Sequence, residues 1–133
     1  MLHEVPNVSQ LEGESARRWF ADDYFDLIVW QDDDGGIRTF QLAYDKQGRE
    51  RLVEWRRDQG VSHFLVDRAG TRPARYARTG ILRPAKAEDL AELIALFEEA
   101  DGALDATVRR VVREQLRSLA AGEEEPGSPG GAV

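Results

Sequence analysis

With 133 residues, 41% hydrophobic and 32% charged, the chain has the size of one globular domain and too much apolar content to be disordered. Its net charge of −7 argues against electrostatic binding of nucleic acid, and the absence of cysteine excludes disulfides, thiolate metal sites and cysteine nucleophiles. No uncharged apolar run, Leu27-Ile28-Val29-Trp30 included, approaches the roughly 20 residues of a membrane span, and Met1 to Pro6 lacks the features of a signal peptide, so a cytoplasmic location is expected.

In chain order, Arg17 to Ala21 offers a short strand. Phe25 to Gln31, Ile37 to Tyr44, Glu50 to Arg56 and Val61 to Asp67 then read as four strands rich in β-branched and aromatic residues. Asp32-Asp33-Asp34-Gly35-Gly36, Lys46-Gln47-Gly48-Arg49 and Asp58-Gln59-Gly60 separate them with the turn chemistry of hairpins. Tyr76 to Leu82 offers one strand more. From about Lys86 to Ala100, Leu90, Leu93, Ile94 and Phe97 share one helical face, and Asp101-Gly102 ends that helix. Asp105 suits the N-cap of a second helix, in which Val108, Val112, Leu116 and Leu119 form the apolar stripe and Arg109, Arg113 and Arg117 a solvated basic ridge. Residues 122–133, low in apolar content and rich in Gly and Pro, read as a disordered tail after a single domain over 1–121. The expected fold class is α+β, an antiparallel β-meander of four to six strands with two C-terminal helices packed on one face.

The hairpins fix which sheet face is core, because a slip of one residue exchanges the two faces. Two-residue loops at Asp34-Gly35, at Gln47-Gly48 and within Asp58-Gln59-Gly60 all bring one set inward: Phe25, Leu27, Val29, Phe40, Leu42, Tyr44, Val53, Trp55, Phe64 and Val66. The outer face then holds Asp26, Ile28, Trp30, Gln41, Leu52, Glu54, His63 and Leu65, which is more apolar than a wholly wetted face. Ile28, Trp30, Leu52 and Leu65 form an apolar patch, to be covered by the loops around residues 1–16 and 68–80 or else to meet another chain or a ligand. Beside it Gln41, Glu54 and His63 fall in a cross-strand row flanked by Asp26, where a carboxylate orients a histidine for general-base work.

No catalytic assignment follows from these residues, since Thr39 is the one hydroxyl obviously near His63. Two histidines do not make a metal site, and no cofactor is implied. Asp32-Asp33-Asp34-Gly35 misses a calcium loop, whose bidentate Glu would fall where Gln41 stands. The leading expectation is a small non-enzymatic interaction protein, a homodimer or the companion of a protein partner, self-associating through the outer face. The alternative is a small-molecule or hydrolytic site around His63. Neither a membrane nor a nucleic acid is expected as a partner.

Charge is uneven along the chain. Residues 1–67 carry 8 basic and 14 acidic groups, residues 68–87 carry 6 basic groups and no acid, and residues 88–133 carry 4 basic and 11 acidic groups. The central basic stretch is expected to lie against the chain's own acidic parts, with an external acidic partner as the other option. The run Arg17-Arg18-Trp19-Phe20-Ala21-Asp22-Asp23-Tyr24-Phe25-Asp26-Leu27-Ile28-Val29-Trp30, with Phe40-Gln41-Leu42-Ala43-Tyr44-Asp45-Lys46 and Val61-Ser62-His63, resembles a family of small uncharacterised bacterial proteins. The likeness spans roughly residues 4 to 85 and is looser over the helices. It implies neither an activity nor catalytic residues.

Overall fold

In the computed structural model, residues 1–6, 16–67, 81–84 and 90–123 are described, apart from the side chains of 66–67, 81–84 and 122–123. Among the described residues, seven strands follow one another across a single antiparallel sheet: β1 (His3–Glu4), β2 (Ala16–Ala21), β3 (Phe25–Gln31), β4 (Ile37–Tyr44), β5 (Arg51–Arg56), β6 (Gly60–Asp67) and β7 (Ile81–Pro84). Helices α1 (Leu90–Ala100) and α2 (Ala106–Glu123) complete it. The architecture is the expected α+β meander with C-terminal helices, widened by the two-residue β1. The start expected for α1, residues 86–89, lies outside the described residues. So does the basic stretch 68–87, apart from the backbone of 81–84, and so does the tail from 124 onward. Helix α2 continues through Gly122 and Glu123, two residues into the segment expected to be tail.

The sheet's register follows from its turns. Asp22 Oδ1 accepts the N–H groups of Tyr24 and Phe25 at 2.8 and 2.7 Å, an Asx turn that sets Ala21 opposite Asp26. Between β3 and β4 the expected pairs appear, with Phe25 opposite Tyr44, Leu27 opposite Leu42 and Val29 opposite Phe40. After Trp30 a bulge shifts the register by one, so Gln31 meets Ile37, and Ile37 turns into the core. Between β4 and β5 the loop is longer than two residues, yet the pairing has the expected parity: Phe40 faces Trp55 and Leu42 faces Val53.

The third hairpin departs from expectation. Its loop is Arg57-Asp58-Gln59, closed by Gln59 N–H donating to Arg56 C=O at 2.9 Å, and Gly60 follows with φ +89°. A three-residue loop followed by a left-handed glycine is a standard hairpin solution, and that one extra residue moves β6 over. His63 therefore pairs with Val53 and Leu65 with Arg51, on the inner face, while Phe64 pairs with Leu52 on the outer one. The expectations for His63, Leu65 and Phe64 are thus reversed. The side chain of Val66, expected to point inward with Phe64, lies outside the described residues.

The inner face carries the core. Phe25, Leu27, Val29, Phe40, Leu42 and Val53 are buried against Leu90, Leu93 and Phe97 of α1 and Val108, Val112, Leu116 and Leu119 of α2, the helical stripes read from the sequence. Burying each such side chain contributes about 1.5–3 kcal/mol. Leu2 joins them without having been anticipated: it is fully buried, and its N–H donates to Ala100 C=O at 3.0 Å, satisfying a carbonyl at the end of α1.

The arginine ridge of α2 is solvated at Arg117, as expected, but two of its members also hold carboxylates. Arg113 donates to both carboxylate oxygens of the buried Asp101, from Nε at 2.7 Å and Nη2 at 3.0 Å. Arg117 reaches Glu98 at 2.5 Å. These pairs tie α2 to α1 and to the turn between them. Donating these hydrogen bonds to Asp101 also pushes the Arg113 pKa further up.

Candidate functional site

With the core on the helix side, the outer face is where the remaining polar chemistry gathers. Strand alternation places Arg17 and Trp19 of β2, Asp26, Ile28 and Trp30 of β3, Thr39, Gln41 and Ala43 of β4, Leu52, Glu54 and Arg56 of β5 and Phe64 of β6 on it. Two cross-strand rows result. One runs Trp19, Ile28, Gln41, Glu54, and the next runs Arg17, Trp30, Thr39, Arg56. Side chains adjacent in such a row have Cβ atoms about 5 Å apart.

The first row is closed by its own hydrogen bonds. Trp19 Nε1 donates to Asp26 Oδ1 at 2.9 Å, and Lys46 Nζ stands 3.4 Å from the same oxygen. Gln41 Nε2 donates to Glu54 Oε2 at 3.0 Å, with Arg56 Nη2 at 3.5 Å from it. Asp26, Gln41 and Glu54 are all more than nine-tenths buried, where a carboxylate requires such partners. Gln41 Oε1 is buried as well and accepts no hydrogen bond.

Six of the eight candidate residues therefore share this face: Asp26, Ile28, Trp30, Gln41, Leu52 and Glu54. The apolar patch expected around them is smaller than the sequence suggested. Ile28 and Leu52 are 6% and 1% exposed, and Leu52 packs with Ala43 and Phe64 in a small second cluster. Trp30 is the half-exposed remainder.

His63 and Leu65 are not part of it. On the opposite side of the sheet, the buried His63 places Nε2 2.6 Å from the Tyr44 hydroxyl. Their rings lie at 25° to each other, and the Arg51 guanidinium lies over the Tyr44 ring, 4.7 Å from its centroid. The sheet itself thus separates His63 from Glu54, Gln41 and Thr39. The general-base row, and with it the hydrolytic reading around His63, loses its geometry.

The acidic hairpin tip is engaged in structure. Asp32 meets Arg57 at 2.5 Å and Arg38 at 3.6 Å, and Arg57 N–H donates to Arg38 C=O at 2.9 Å, linking two neighbouring turns. Among the described residues no group of three or more His, Asp or Glu side chains is arranged to hold a metal ion, and no described helix is long and apolar enough to cross a membrane.

The sequence reading missed Arg17 and Trp19 as members of the outer rows. The signal was present, since the Asp22 turn fixes β2 against β3 and alternation then places every second residue of the Arg17-Arg18-Trp19-Phe20 run outward.

No family model matches the chain, and no match was found among curated proteins or solved structures. Function therefore rests on the geometry of the outer face.

Proposed function

We propose that the chain is a small, non-enzymatic interaction protein that docks a partner over the row Arg17, Trp30, Thr39 and Arg56. The half-exposed indole of Trp30, standing in one cross-strand row with two arginines, carries this reading. Tryptophan and arginine are the residues most often found to anchor interfaces. A partner surface with carboxylates around a small or apolar centre complements such a row. A second copy offers one, because Glu92, Ala95 and Glu99 are exposed on α1. Symmetrical stacking of the row on itself would instead oppose arginine to arginine, so a contact between unlike surfaces is the favoured form of self-association.

Light scattering tests this directly. Masses above the 15.0 kDa monomer are expected at low ionic strength, falling as salt is added, and Trp30→Asp returns the protein to monomer with its circular dichroism unchanged. A wild type that stays monomeric at every concentration and salt overturns self-association. A small-molecule site on the same face is the second reading, favoured by the buried Gln41 Oε1. Its test is a saturable thermal shift with a hydroxyl- or amide-bearing ligand, lost in Gln41→Leu.

A further inference from the structure

We draw no further inference here: the strongest candidate, the buried row of Trp19, Gln41 and Glu54 beside Asp26 on the outer sheet face, belongs to the site already described, its carboxylates already hold Lys46 and Arg56, and nothing in the structure shows what covers it.

Discussion

Tyr44 and His63 meet side by side on the inner face, hydroxyl to Nε2 at 2.6 Å with ring centroids 6.0 Å apart. They belong to strands that are not neighbours, β4 and β6, and meet diagonally across β5, where Arg51 faces Tyr44 and Val53 faces His63. The hydrogen bond satisfies two polar groups in a core that would otherwise penalise both. Tyr44→Phe and His63→Leu are each expected to cost about 1–3 kcal/mol in urea unfolding. The double variant should cost clearly less than the sum, by roughly 0.5–3 kcal/mol, because the second substitution removes a group already deprived of its partner. Strictly additive losses would show that the two side chains do not act as a pair.

The β6 register depends on one backbone position. Gly60 sits at φ +89°, a region that side chains with a Cβ enter at a cost of roughly 1–2 kcal/mol. Gly60→Val is expected to lower stability by at least that much in denaturant unfolding. Val61→Thr, one residue further along the same strand, should cost less. Equal effects at the two positions would remove the turn's claim to set the register.

That turn also marks where the sequence stopped being legible. Phe25 to Gln31 and Ile37 to Tyr44 were bounded correctly, because alternation and flanking glycines agree there. Their pairing parity matches the expected one because the bulge after Trp30 offsets a turn that closes between Asp32 and Gly36, one residue away from a two-residue Asp34-Gly35 loop. Asp58-Gln59-Gly60, by contrast, suits a two-residue loop and a three-residue loop equally well by composition. The difference of one residue carried His63 and Leu65 to the other side of the sheet. Apolar content gave no warning, since Phe64 finds Leu52 and Ala43 to pack against on the outer face. Strand β1 was invisible for another reason: two residues hold no periodicity.

The α2 arginines illustrate a related point. Residues four apart on a helix drift by about 40° per step, so Arg109, Arg113 and Arg117 do not share one solvent direction. Arg113 meets a nearly fully buried Asp101, and Arg113→Met leaves that carboxylate without its two charge-assisted hydrogen bonds. Arg113 itself is half-exposed, which places the expected loss between that of a surface pair and a buried one. Arg110→Met, whose partner Glu114 is exposed at 3.9 Å, should change the unfolding midpoint little.

A dependence on pH is expected at the other end of α2. Glu4 accepts from Arg18 Nε at 2.8 Å and Nη2 at 2.9 Å, and Arg18 Nη1 also reaches Asp105 at 3.1 Å. The hydrogen bonds from Arg18 hold the Glu4 carboxyl below its usual 4.5. A depressed carboxyl pKa stabilises the fold above the unfolded value and loses that contribution as pH falls through the folded one. Wild type should therefore exceed Glu4→Gln in Tm at neutral pH by the modest margin of a solvent-accessible pair, up to about 1 kcal/mol. The gap should close as pH drops below 4.5. A gap that persists in acid would assign the stabilisation to packing instead.

Leu2 gives the chain a long-range closure. Its seat is formed by the end of α1, where its N–H meets the Ala100 carbonyl, so nearly the whole domain separates the two partners along the chain. During synthesis this contact cannot form until α1 has left the ribosome, and the sheet must spend that interval without it. The slowest phase of refolding is accordingly expected to include the docking of this N-terminal residue.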